Sequence, residues 1–345
     1  MKIINKYRKR IMFFLTNQVG KKTTILSKSE IKRENIKRVL ICRPNHRLGN
    51  QLLITPLVQE VSSTFPNCKI DLFLKGGLGP IIFKNYDNVE TIIQLPKKHF
   101  KQLFLYIKSW SRIRKIKYDI AINVEKNSSS GRLSTKFANA TYHFFGDNED
   151  DFRQKHDDYF HMAKYPVYSF REYITTIGLK AENNEVPTLN LKLSADELID
   201  GKKKLSTLTQ NNQQTICLFT YATGAKCHST AWWSEFYENL KIKFPNKNII
   251  EILPVENISM IDFKAPTFYS KDIREMASLM ANTNVFVGAD SGIMHLASAA
   301  QVPVLGLFSV TNMEKYKPYN SNSIGLNTND SNNEAIYEAI ESILN

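Results

Sequence analysis

Six residues near the C-terminus, Asp290-Ser291-Gly292-Ile293-Met294-His295, gather a carboxylate, a hydroxyl, a glycine and an imidazole at one point of the chain. Ahead of them 285–287 reads as a short buried strand. After them Leu296, Ala297 and Ala300 recur at helical spacing, and 302–308 reads as a second apolar strand. The expectation is a strand, tight turn, helix and strand, the βαβ unit of a parallel sheet. Asp290 or Ser291 stands where a helix N-cap belongs. A helix opened this way offers unpaired N–H groups and the positive end of its dipole, which suits a phosphate. Gly288 and Gly292 flank the turn, His295 adds a donor one turn in, and Thr311 brings a hydroxyl to the same edge. Glycine and serine at such a turn also serve tight packing, and His295 could cap a carbonyl. The convergence of three different polar groups favours the phosphate.

A second loop, 220–230, holds Thr223, Gly224 and Lys226 before a helix opened by Trp232 and Trp233. Hydroxyls, a glycine and a lysine are chemistry for a phosphate lying against loop amides, although an ordinary solvated lysine reads the same way. Near the N-terminus, 38–42 reads as a strand entering Arg43-Pro44-Asn45-His46-Arg47-Leu48-Gly49-Asn50, followed by an apolar helix over 51–65.

Strands and helices alternate on either side of these loops. Strands are expected at 69–74, 91–95, 118–124 and 141–145 with a helix over 100–116, then strands at 215–219, 248–253 and 267–269 with helices at 232–244 and 272–281. A polar stretch separates the two series, and 320–332 reads as a loop before an amphipathic helix at 334–344. The pattern predicts an α/β protein with two Rossmann-like doubly wound domains: a basic segment at 1–37, a first domain at 38–185, an inter-domain region at 186–212 and a second domain at 213–345.

Composition bounds the function. A chain of 345 residues with 42% hydrophobic content suits two ordinary globular domains. Cys42, Cys68, Cys217 and Cys227 lack CxxC spacing, which argues against a zinc site or disulfide framework and for a reducing compartment. The net charge of +13 is uneven: residues 1–38 carry twelve Lys or Arg against two Glu, leaving 34 basic and 31 acidic residues elsewhere. A broad nucleic-acid-binding face is therefore not expected. Lys6 to Arg10 precede Ile11-Met12-Phe13-Phe14-Leu15, too short an apolar run for a transmembrane helix, so the segment suits either the anionic inner face of a membrane or a solvated tail.

The run from Asp290 to Ala297, with its small-residue helix, apolar strand and 308–311, resembles the C-terminal signature of the heptosyltransferases, glycosyltransferase family nine. The resemblance covers roughly 37–320. It implies the GT-B fold, two Rossmann-like domains facing across a cleft, with the sugar nucleotide held mainly by the second domain. It implies transfer of a heptose from an ADP-activated donor to a lipid-linked core sugar of lipopolysaccharide at the cytoplasmic membrane face, with inversion, and without a metal or other cofactor. By resemblance Asp290, Ser291, Gly292 and His295 hold the donor, with Thr223, Gly224, Lys226 and Thr311 assisting. Glu256, near the turn after the third strand of the second series, matches a carboxylate that often holds the ribose. The family's loop lysine precedes the tryptophan by two residues, a place taken here by Thr230, so Lys226 would reach from deeper in the loop.

Inverting transfer needs a base for the acceptor hydroxyl and charge stabilisation on the departing diphosphate. The family supplies the base as the aspartate of a Gly-Asp pair shortly before Thr-Pro. This chain has Gly49-Asn50 and then Thr55-Pro56, and asparagine does not accept a proton at neutral pH. His46 and Glu125 are the substitutes, though either could instead pair with Arg43 or Arg47. Those two arginines and Arg132 are candidates to grip an anionic acceptor. Two alternatives stand beside transfer: a binding protein that kept the donor site and lost its base, and a GT-B nucleotide-sugar epimerase, which needs no acceptor.

Overall fold

The computed structural model describes residues 31–97, 101–147 and 155–345. The expectation placed on the first thirty residues lies outside them. The chain divides into two compact units: the described residues up to His46 with 56–187, and 47–55 with 188–345. Along the chain run β1 (Arg38–Arg43), α1 (Leu48–Leu52), α2 (Thr55–Thr64), β2 (Lys69–Lys75), β3 (Val89–Leu95), α3 (Leu103–Lys115), β4 (Lys117–Asn123), α4 (Ser129–Phe137), β5 (Asn139–Phe144) and α5 (Tyr165–Thr176). Then come α6 (Ala195–Thr209), β6 (Thr215–Phe219), α7 (Thr230–Lys243), β7 (Asn248–Ile252), β8 (Thr267–Phe268), α8 (Ile273–Met280), β9 (Val285–Ala289), α9 (Gly292–Ala299), β10 (Val304–Phe308), β11 (Ile324–Asn327) and α10 (Asn333–Leu344).

In the first unit five parallel strands lie in the order β3-β2-β1-β4-β5. Parallel strands covered on both faces read as continuous apolar runs, and Val39, Leu40, Ile41 and Cys42 of β1 are all fully buried. Leu40, Phe73, Ile113 and Tyr118 belong to one core cluster that joins the sheet to α3. Asp71 sits inside this sheet, gripped by Arg38 at 3.0 Å and by the Tyr118 hydroxyl at 3.0 Å, and its burial pushes its pKa up despite both partners. A buried pair, Arg171 with Glu60 at 2.7 and 2.9 Å, ties α5 to α2.

In the second unit the order is β11-β10-β9-β6-β7-β8, again all parallel. Counted from β6, this is the 3-2-1-4-5-6 arrangement of dinucleotide-binding sheets, and the order reverses between β6 and β9. Trp233, Phe236 and Leu240 of α7 pack with Ile216, Val287 and Leu305 of the sheet in one core. The two sheets bear out the expected GT-B class. No described helix is long and apolar enough to cross a membrane.

The expected helix over 51–65 is two helices. Pro56 lacks an N–H and fits the first turn of α2, while the Thr55 hydroxyl donates to the Leu52 carbonyl at 2.8 Å and closes the end of α1. The polar stretch 320–332 contains β11, which pairs with β10. The units also divide at other points than the sequence pattern drew. Residues from 188 onward, read as part of a junction, are built into the second unit: Leu189 and Leu191 are fully buried, and Leu191 donates to the Ala299 carbonyl at 2.8 Å. Residues 47–55, read as part of the first domain, cluster with the second unit because α1 packs on α9.

Candidate functional site

Ligands of open α/β sheets bind beyond the carboxyl ends of the strands where the strand order reverses. In the second unit that point lies between the loop after β6 and the turn after β9. The two are joined by an ion pair, Lys226 Nζ with Asp290 Oδ2. Asp290 is 6% exposed, whereas the Lys226 side chain keeps 37% of its surface open to solvent. Asp290 thus aims an ammonium group over the opening of α9.

The cap of α9 is Ser291, not Asp290: its extended backbone turns the hydroxyl back to accept from the Met294 N–H at 3.2 Å. Gly292 is needed for close contact. A Cβ there would stand 3.2 Å from Leu48 Cβ and 3.3 Å from the Gly49 nitrogen. A Cβ on Gly49 would meet His295 Cδ2 at 2.8 Å. Two facing glycines therefore let α1 lie directly on α9, and His295, 4% exposed, is enclosed beneath Gly49. Its ring braces the crossing.

The loop after β6 turns at Gly224, whose φ of +67° lies in the left-handed region with nothing near its Cβ position. Cys227 closes that turn by donating to the Gly224 carbonyl at 3.1 Å, and Ser229 caps α7 by accepting from Trp232 at 3.2 Å. Thr223 is exposed on the loop and Thr311 is half-buried after β10. Glu256 is exposed on a turn closed by Asn257 donating to the Pro254 carbonyl at 2.8 Å. Lys226, Asp290, Ser291 and Gly292 are thus brought together, while Glu256 stands on the loop after the adjacent strand β7.

One contributor was not singled out from sequence. Glu251, fully buried in β7, accepts from Thr220 at 2.5 Å and from Ser259 at 2.6 Å, fastening the start of the Lys226 loop to the loop after β7. Burial pushes its carboxyl pKa up, and the two hydroxyls partly counter that shift. Its signal was an acidic residue inside the apolar run Ile249-Ile250-Glu251-Ile252.

The first unit reverses its order between β1 and β4, and an ion pair spans that point as well: Arg43, 6% exposed, donates to Glu125 at 3.2 Å. His46 is exposed in the loop after β1, its Cβ 3.4 Å from where a Gly76 Cβ would be. Arg47, exposed, stands at the N-cap just before α1, and Asn50 is half-buried on α1; both belong to the unit that holds Asp290. Arg132 departs from its expected role as an acceptor grip. It is 3% exposed, bidentate to Asp147 at 2.7 and 2.8 Å, and its guanidinium lies 5.4 Å from the Phe145 ring. Its planar fork is engaged within the fold.

Residues 270–341 match the family model of glycosyltransferase family 9 (heptosyltransferase). No curated protein matches the chain in sequence. Among solved structures, a family 9 glycosyltransferase from Veillonella parvula superposes with a TM-score of 0.72 at 17% identity, covering 92% of this chain and 99% of that one. The E. coli heptosyltransferase WaaC with ADP gives 0.62 at 16% identity, over 89% of this chain and 99% of its own. E. coli ADP-heptose lipopolysaccharide heptosyltransferase II gives 0.62 at 14% identity, over 90% and 98%. The resemblance read from the Asp290 run is borne out by the family match, which contains that run.

Proposed function

We propose that this chain, a glycosyltransferase of family 9 by its matched region and its fold, transfers a heptose from an ADP-linked donor to a hydroxyl of a lipid-linked glycan such as a lipopolysaccharide core. The observation that carries the reading is the Lys226–Asp290 pair set over the Ser291-capped start of α9. The diphosphate lies against the N–H groups of α9, and Lys226 offsets the charge that builds on it as the anomeric C–O bond breaks. Asp290 orients that ammonium and the Ser291 cap fixes the turn. The hydroxyls of Thr223 and Thr311 border the diphosphate, and Glu256 takes the ribose hydroxyls. ADP is favoured as the nucleotide because two structures of WaaC, which shares this fold, hold ADP or an ADP-linked fluoroheptose.

The acceptor oxygen attacks the anomeric carbon from the face opposite the diphosphate, so configuration inverts. A base must take its proton. Asn50 cannot, and Glu125 is held by Arg43. His46, exposed after β1, is the base in this account, and Arg47 attracts an anionic acceptor.

The test is a transfer assay with ADP-heptose and a heptose-free lipopolysaccharide core, with the product anomer assigned by NMR. His46→Gln should lower kcat by roughly 100-fold or more while leaving ADP affinity unchanged. Product with retained configuration, or a His46→Gln enzyme of full rate, would sink this mechanism. Conversion of the donor without acceptor would point to an epimerase instead.

A further inference from the structure

Helix α3 carries apolar side chains where a water-facing helix would carry polar ones. Leu103 is 58% exposed, Phe104 78%, Leu105 49% and Ile107 55%, all within its first five residues. Soluble surfaces scatter single exposed apolar residues, whereas a contiguous group of this size marks a contact face. The inward side of the helix is already satisfied: Ser109 and Ile113 are buried, and Trp110 packs edge-on against Phe73 with ring centroids 5.6 Å apart.

The second half of the helix changes character. Lys108, Arg112, Arg114 and Lys115 are exposed, and residues 96–118 contain eight Lys or Arg and no Asp or Glu. Arg114 stands 5.9 Å over the ring of Phe137, itself 45% exposed, so the face continues onto α4. Beside α3 opens a cleft of about 580 Å³, with Ile92, Leu95 and Leu105 along its apolar wall and Lys97, Lys108 and Arg112 as its cations. It lies at the carboxyl ends of β2 and β3, and its Gly76 is the residue that His46 adjoins.

We propose that α3 and this cleft form a docking face for an anionic phospholipid membrane. Leu103, Phe104 and Ile107 enter the acyl boundary, while Lys97, Lys108 and Arg112 hold lipid phosphates at the headgroup level. The succession of apolar and then basic residues along one helix matches the change from acyl chains to headgroups across a bilayer surface. A second copy of the chain is a poor occupant, because a two-fold contact would set this cationic surface against itself. The face is built from residues 76–137 of the first unit and uses neither the basic residues of 1–38 nor the donor motif, so it stands or falls independently of both.

The test is flotation of the full chain with vesicles of phosphatidylcholine alone or mixed equally with phosphatidylglycerol. Binding should require the anionic lipid. Phe104→Ser with Ile107→Ser should weaken it by about tenfold or more. Lys108→Gln with Arg112→Gln should weaken it by about 30-fold, at roughly 1 kcal/mol per basic residue. All four side chains are exposed, so both variants should melt as the wild type does and keep their response to ADP. Undiminished binding in both variants would overturn the proposal, with loss on deleting 1–30 then placing the contact on that segment. Equal binding to neutral vesicles, or a dimer that Phe104→Ser with Ile107→Ser converts to monomer, would also overturn it.

Discussion

Lys226 and Asp290 depend on each other unequally. The carboxylate is nearly enclosed at 6% exposure, while the ammonium keeps solvent contact, so removing the lysine strands the more costly charge. Lys226→Ala should destabilise the protein by about 1–2 kcal/mol, a value reduced from that of a fully buried pair because the lysine is partly solvated. Adding Asp290→Asn should restore most of that stability. Donor affinity should follow neither gain nor loss: it should fall by at least about tenfold in Lys226→Ala and stay low in the double variant. Urea denaturation and ADP titration on the two variants separate the roles. Recovery of ADP affinity in the double variant would mean that the lysine serves only to neutralise Asp290. Asp290 and Lys226 could both be marked from sequence because their loops are short and polar, but that they pair could not, since they stand 64 positions apart. The burial of Arg132 was hidden similarly, its partner Asp147 being fixed only by the packing of α4.

At the scale of elements, Glu251 couples the loops that follow β6 and β7 through Thr220 and Ser259. Its folded-state pKa is raised, so the folded chain holds that proton more tightly than the unfolded chain does. The associated stability is complete below the unfolded carboxyl value and is lost as the pH rises through the folded one. Glu251→Gln removes that dependence. Measured by urea denaturation from about pH 4 to about pH 8, the stability difference should move steadily in favour of Gln as the pH rises. A difference independent of pH would show that Glu251 is ionised in the folded protein without penalty. The strands were legible because buried parallel strands are apolar throughout, as in 39–42 and 285–287. Helix α5 was not, because Val167, Phe170 and Ile174 are buried along with Ser169 and Arg171, and no polar face alternates with an apolar one.

Over the whole molecule, two parallel sheets of the same winding each place an ion pair where their strand order reverses, Arg43–Glu125 in one and Lys226–Asp290 in the other. The recurrence of strand and helix made both sheets readable from sequence. The assignment of 47–55 to the second unit was not, because it rests on two glycines, Gly49 and Gly292, that meet although they stand 243 positions apart in the chain. That contact puts Asn50 in the unit that carries the donor motif, so a donor bound there should be felt by α1. The most direct measurement is hydrogen exchange of the full chain with and without ADP. Exchange should slow in 220–230, at the start of α9 and in 47–55, with the β-sheet of the first unit unchanged. ADP protection confined to the first unit, or no protection at saturating ADP, would contradict a nucleotide site at the Lys226–Asp290 pair.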